Sequence, residues 1–215
     1  MKNSKLRSAT FSYLEILKSN TFSKILLPIC AFLFIQVLLT ANTNPPVTIK
    51  SINVQESTIT WTGKKVTGQH TGTIDIKGGN LTFDDNGQLS GGQFEIDMNS
   101  IACTDLSGSS ASQLESHLKS DDFFGVAAFP VAILNITNVS NAGNDTYNVV
   151  ADITIKGITQ PIEFTTTMID AHALANIVID RSKFNVRYGS GSFFQNLGDK
   201  AIYDEFTLEV KLSIQ

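Results

Sequence analysis

The side chains that could do chemistry in this chain are few and far apart. His70, His117 and His172 are separated by 47 and 55 residues, with no pair at helical i, i+4 spacing and no cysteine cluster beside them, so they do not spell a zinc site. Asp84-Asp85 and Asp121-Asp122 are adjacent carboxylates. Neighbouring residues on a strand or turn point apart, whereas an acid and a base must flank one bond, so both pairs read as solvated turns or caps. Gly189-Ser190-Gly191-Ser192 lacks the Gly-Lys-Ser/Thr ending of a phosphate-binding loop and reads as a glycine-rich bend. Cys103 is the single cysteine after residue 41, so no internal disulfide forms within residues 42–215. With no cationic neighbour in sequence to lower its pKa, it reads as a small half-buried residue. No catalytic set, no metal site and no cofactor motif emerges.

The elements that carry these residues are strands. Glu205 to Ile214 alternates polar and apolar residues without a slip, the mark of a strand with one wet face. Gln93–Met98, Val149–Lys156 and Ile162–Met168 repeat the pattern, and residues 58–64, 70–77, 131–139 and 174–180 are weaker instances. Gly78-Gly79-Asn80, Asp84-Asp85-Asn86-Gly87, Asn141 to Asp145 and Lys156-Gly157 are turn signals short enough to make neighbours antiparallel. About eight such strands bury their apolar faces either in a two-sheet sandwich or in a barrel closed on itself. The exception is the stretch from Ser109 to Lys119, where serines stand ready to cap, Leu114 and Leu118 fall at i and i+4, and no β-branched residue intervenes. It predicts one helix over about 110–120.

The first 41 residues differ in kind from the rest. Five basic residues precede an apolar run from Ile25 to Leu39, then small and polar residues follow, which is the order of an export signal. The run, about fifteen residues, is short for a bilayer span. Cleavage after Ala41 is the expectation, and an uncleaved N-terminal membrane anchor is the alternative. Either places the folded domain outside the cytoplasm, in the periplasm or beyond the cell. Residues 42–49 read as a linker and 50–215 as one domain. Beyond residue 41 the chain holds 11 basic and 19 acidic residues, net −8, which argues against nucleic acid as a partner.

The string HLKSDDFF, residues 117–124, sets two rings directly after two charges at the end of the predicted helix. Several separated pieces, in order, carry a likeness: Trp61-Thr62-Gly63-Lys64, His70-Thr71-Gly72, Gly91-Gly92-Gln93-Phe94, Asp97 to Ile101, Asp105, Leu114, HLKSDDFF, Phe129-Pro130, Ile153 to Thr159, Pro161, Asp180 to Phe184 and Tyr188-Gly189. Over about residues 50–215 the sequence resembles the YceI-like family. The resemblance implies an all-β, antiparallel, lipocalin-like barrel of about eight strands with one short helix. It also implies a non-enzymatic protein that binds polyisoprenoid-type lipids and is typically exported to the bacterial periplasm.

On that reading Trp61, Ile74, Ile76, Phe94, Ile96, Met98, Ile153, Phe164, Met168, Phe206, Leu208 and Val210 line a bore. The helix crosses one end, Phe123 and Phe124 plug or line the interior, and His117 and Arg181 are the candidate donors to a polar headgroup. The bland alternatives are that these apolar residues fill a ligand-free core and that Arg181 pairs with a strand-end acid. The expected guest is an isoprenoid lipid or a quinone-like amphiphile, bound for transport or storage, with transient membrane contact. The oligomeric state is left open, a homodimer included. Competing functions are a stress-related or structural barrel without a small-molecule ligand and, behind it, a lipid-modifying enzyme. The aromatic segment 193–206 has no assigned role.

Overall fold

The computed structural model describes residues 46–215. The expected signal or anchor over 1–41 and the first half of the expected linker lie outside the described residues. Eight antiparallel strands follow in order: β1 (Thr48–Lys65), β2 (Gly68–Phe83), β3 (Leu89–Cys103), β4 (Val131–Gly143), β5 (Thr146–Ile155), β6 (Ile158–Ile169), β7 (His172–Asp180) and β8 (Ile202–Ile214). Each pairs with the next and β8 returns to β1, so the sheet is a closed barrel. Closure leaves no strand edge to satisfy elsewhere. Strand β1 begins two residues inside the expected linker, because Thr48 to Ser51 pair with Phe83 to Asn80.

Directly paired residues share a face, so apolar residues meet one another across neighbouring strands of the wall. Phe94 faces Leu134, and Leu134 faces Ile153. Val149 faces Phe164. Ile177 faces Leu208, and Leu208 faces Trp61. Two glycines make room for the rings. Gly72 pairs with Trp61 and Gly79 with Phe94. A Cβ on Gly72 would stand 1.8 Å from the carbonyl of Ala102 and 2.5 Å from the indole, and one on Gly79 would stand 2.4 Å from the Phe94 ring.

The two ends of the barrel are built differently. At the end formed by residues 84–88, 144–145 and 170–171, Ile52, Phe83 and Tyr147 are buried and plug the interior. The other end carries the helix α1 (Gly108–Lys119), residues 120–130, and the loop from Arg181 to Ala201. Ser107 occupies the N-cap in an extended conformation, but its hydroxyl makes no cap bond, contrary to the capping role expected of the serines. The helix is pinned from the side instead, with Glu115 Oε1 accepting from the Cys103 amide at 2.9 Å.

HLKSDDFF is the turn that takes the chain from this helix to the inside. The amides of Phe124, Gly125 and Val126 donate back to the carbonyls of Leu118, Ser120 and Lys119. Asp121 and Asp122 stay exposed while Phe123 is buried and Phe124 half-buried. Lys156 fixes this arrangement from the two-residue β5–β6 turn, donating from Nζ to the carbonyls of Asp121 and Phe123, both at 2.8 Å. Lys156 and Gly157 both have positive φ, 52° and 73°, the geometry of a tight hairpin turn, so Lys156 ends outside the strand assigned to it from alternation.

Two charge-assisted bonds to backbone carbonyls stabilise the turn, so Lys156→Met should lower stability by about 1–2 kcal/mol. The expected readout is a lower urea midpoint with an unchanged slope. An unchanged midpoint would show that water replaces the ammonium at no cost.

Candidate functional site

The barrel is not filled. Its interior leaves a cavity of about 180 Å³, lined from all eight strands together with Leu118, Phe123, Phe124 and Arg181. Since about 10–15 Å³ of such space holds one water, this is room for far more than a stray solvent molecule. The wall is apolar almost throughout. Its polar side chains are Trp61, Thr166, Arg181 and Tyr203. The Trp61 indole N–H donates to the Thr73 carbonyl at 3.1 Å, and the Thr166 hydroxyl donates to the Leu174 carbonyl at 3.1 Å. Water inside would find few partners, and an apolar guest loses nothing by entering.

Fourteen of the sixteen residues expected at the site stand in the wall: Trp61, Ile74, Ile76, Phe94, Ile96, Met98, Phe123, Phe124, Ile153, Phe164, Arg181, Phe206, Leu208 and Val210. Met168 and His117 do not. Met168 lies on the inward face of β6 as alternation requires, but two residues past Thr166 towards the plugged end, where it packs against the core. His117 sits behind the wall, its ring edge-on to Phe123 at 5.7 Å and to Tyr188 at 4.3 Å between centroids, with Nε2 buried and unpartnered.

The sequence reading passed over the residues that leave the space open. Ala132 on β4 and Ala173 and Ala175 on β7 line it, beside Leu134, Ile136, Ile177 and Ile179 from the same two strands. Their signal was present as an apolar residue at every second position. It was weak because alanine barely registers as apolar.

Arg181 is buried to 2% exposure in this apolar wall, and most of its guanidinium donors are engaged by the protein. Nε donates to the Tyr203 carbonyl at 3.2 Å, Nη1 to those of Val186 and Tyr188 at 3.0 and 2.9 Å, and Nη2 to that of Ile202 at 3.0 Å. The remaining N–H faces Asp204 Oδ1 at 3.4 Å, an ion pair without hydrogen-bond alignment. Four of its five donors are thus spent on backbone carbonyls, and the fifth has only the nearby charge of Asp204. What Arg181 presents to the interior is its flat face, stacked 5.3 Å from the centre of the Phe123 ring. Desolvation lowers its pKa, and the charges of Asp204 and Asp180 oppose that shift. Desolvation would raise the Asp204 carboxyl, but hydrogen bonds from Ser190 and Ser192 and the charge of Arg181 bring it below the usual range.

Gly189 to Ser192 belongs to the same clasp. Ser190 is fully buried, Ser192 Oγ donates to Asp204 Oδ2 at 2.6 Å, and the Ile202 amide donates to the Gly189 carbonyl at 2.8 Å. The glycine–serine string folds the loop down onto the arginine and its acid.

A second cluster ties β2 to the end of β3. Asp105 accepts from the Thr71 amide at 3.1 Å and from Cys103 Sγ at 3.1 Å through Oδ1, and meets His70 Nδ1 at 3.0 Å through Oδ2. Burial pushes the Cys103 thiol up, with the hydrogen bond to Asp105 adding to it, so the thiolate is disfavoured. Desolvation would raise Asp105 too, but the bonds from Cys103, His70 and Thr71 outweigh it and hold the carboxyl at about 2.

Comparison with known proteins agrees with this architecture. The sequence model of the YceI-like domain matches residues 51–214. Among curated relatives, a UPF0312 protein of Shewanella denitrificans is 32% identical over 84 residues, which is 39% of this chain and 41% of that protein. One from Azotobacter vinelandii is 32% identical over 54 residues, 25% of this chain and 28% of the relative. The matched stretches thus span less than half the length of these relatives. Among solved structures, BcnA of Burkholderia cenocepacia superposes with a TM-score of 0.61 at 20% identity, covering 76% of this chain and 99% of BcnA. A polyisoprenoid-binding domain from Saccharophagus degradans, implicated in plant cell wall breakdown, superposes at 0.54 with 13% identity, covering 77% and 97%. At these identities the likeness is one of fold.

The depressed Asp105 carboxyl sets a pH dependence. Its folded value of about 2 lies below the ordinary 3.8, so the folded state binds that proton less readily than the unfolded chain. The stability it contributes is fully present above about pH 4 and is lost as pH falls towards 2. Asp105→Asn should therefore lower the urea midpoint at pH 7 and flatten the fall in stability between pH 4 and pH 2. An unchanged slope over that interval would show that the carboxyl titrates alike in both states.

Proposed function

Since the chain belongs to the YceI-like domain family, we propose that it is a non-enzymatic lipid-binding protein whose guest, a polyisoprenoid or an isoprenoid quinone-like amphiphile, occupies the barrel cavity. The observation that carries this reading is the wall itself: an open apolar space whose polar side chains, Tyr203 apart, are already partnered. Each five-carbon isoprene unit contributes about 4 kcal/mol when removed from water, at roughly 0.8 kcal/mol per buried carbon. A membrane already supplies that gain, so a carrier needs an interior nearly as dry, with only a small surplus left as affinity.

Among the described residues the titratable side chains in the wall are Arg181 and Tyr203, one of them spent on backbone carbonyls. That pair offers no acid and base flanking a guest, which supports binding over reaction. The basic, apolar, small and polar order of residues 2–46 supports export, with the domain acting as carrier or store outside the cytoplasm. The binding domain of Saccharophagus degradans, alike in fold, is consistent with the same class of guest.

The test is mass spectrometry of the organic extract of full-length protein purified from its own host, beside Ala132→Leu and Ala175→Phe variants that fill the space. The expected result is a co-purifying isoprenoid in the parent protein and at least a tenfold loss in either variant, with thermal stability equal or higher because a void has been filled. Absence of lipid from the parent, or equal lipid in folded variants, would overturn the reading.

A further inference from the structure

Every exposed aromatic among the large hydrophobic residues of the described chain lies in one short stretch. Tyr188, Phe193, Phe194 and Tyr203 are 49%, 39%, 49% and 56% exposed, while the exposed large hydrophobics elsewhere are aliphatic. The stretch is held in place. The amides of Phe193 and Phe194 both donate to the carbonyl of the fully buried Ser190, so the two rings are presented by a fixed turn at the barrel's helix end. The β1–β2 tip joins them there, with Lys65 paired to Ile202 and the Val66 amide donating to the Ala201 carbonyl at 3.1 Å. Val66 is itself 50% exposed.

Charge sets this surface apart from the rest of an acidic domain. Lys64, Lys65, Arg187 and Lys200 are exposed around the rings, and Asp199 is the one acid within residues 185–203. Arg187 stands 5.0 Å from the centre of the Phe193 ring. The helix end also exposes Asp121, Asp122 and Glu205, but there the cations of the rim answer them, whereas the turns at the opposite end, residues 84–88, 144–145 and 170–171, expose Asp85, Asp145 and Asp170 with no Lys or Arg among them. The cavity extends to this end of the barrel, since Leu118, Phe123, Arg181, Ile202 and Tyr203 belong to its wall.

Exposed rings interleaved with cations are what a headgroup layer of anionic lipid accepts, because amphipathic rings sit at that depth and each cation there is attracted to the lipid charge. We propose that the rim made by residues 64–66 and 187–203 docks on the surface of an anionic bilayer and brings the helix end of the cavity against it. Its purpose rests on the lipid-binding reading, but its evidence does not, since the rim is defined by exposure and charge alone.

The test uses full-length protein with Cys30 and Cys103 replaced by serine and an environment-sensitive fluorophore on Phe194→Cys. An otherwise identical protein labelled at Asn86→Cys, in a turn at the opposite end, is the control. With vesicles of zwitterionic lipid containing phosphatidylglycerol, the rim label should brighten several-fold and shift to the blue. It should not do so with zwitterionic lipid alone or in high salt, and the Asn86 label should stay unchanged. Adding Lys64→Gln, Lys65→Gln, Arg187→Gln and Lys200→Gln should weaken the response at least about tenfold. This comparison remains informative when the N-terminal apolar segment holds the chain to the vesicle, because only docking of the rim moves the label at residue 194. No change at residue 194 would overturn the proposal, as would an equal change at residue 86. A signal that grows with protein concentration without vesicles would also overturn it and assign the patch to a second copy of the chain. Lipid extracted from the fourfold variant separates the two readings: unchanged lipid with lost docking leaves the cavity reading intact, and docking by an Ala175→Phe protein stripped of lipid leaves the rim intact.

Discussion

An apolar interior that its own side chains do not fill is the condition on which the rest of this structure depends. Closing eight strands satisfies every wall segment through its neighbours, and the inward alternation then fixes what the space is made of. Whether the space stays open is decided by a few small residues, Ala132, Ala173 and Ala175, on two strands that are not neighbours. An unfilled apolar void costs roughly 24 cal/mol per Å³, so a space of about 180 Å³ is a standing cost of several kcal/mol. Larger aliphatic side chains on those strands would remove it. A guest recovers the same free energy without closing the site.

The one buried charge in that wall is tolerable because four of its five donors meet backbone carbonyls and a carboxylate stands beside it. A guanidinium taken out of water loses far more than a lone carboxylate returns, and the four carbonyl acceptors make up the difference. All four belong to residues 186–203, so the arginine organises the loop more than it tunes the cavity. Asp204 joins the arginine to the glycine–serine turn through Ser192, and that turn in turn presents Phe193 and Phe194. One buried side chain at the end of β7 thus determines the shape of the rim.

Most of the fold was legible because period-two alternation is a strong signal wherever one face is wet, as in β8 with Glu205, Thr207, Glu209 and Lys211 outside. The same rule identified Phe94, Ile153 and Phe206 as inward. It could not tell how far along the axis the space extends, which is why Met168 was placed in the wall: it faces inward at a level already plugged. Nor could it see His117, whose position depends on a helix crossing the barrel end and a Tyr188 supplied from seventy-one residues further on. The role of Arg181 was legible as a choice between headgroup and acid. The backbone carbonyls that occupy it leave no trace in sequence, since carbonyls are common to every residue.

A dry cavity alone does not make a carrier, because a hydrocarbon chain crossing water between bilayer and barrel would expose all it gains by arriving. At about 4 kcal/mol per isoprene unit, two or three units in water already form a barrier that makes transfer slow. A mouth held against the headgroups replaces that crossing with a slide from one apolar phase to another. The end of the barrel to which the wall residues Arg181, Ile202 and Tyr203 belong is also the end with exposed rings and cations, while the turns of the plugged end point acids outward. The acidic turns of the plugged end, which carry no Lys or Arg, would be repelled by an anionic membrane, so charge favours the approach that brings the rim forward.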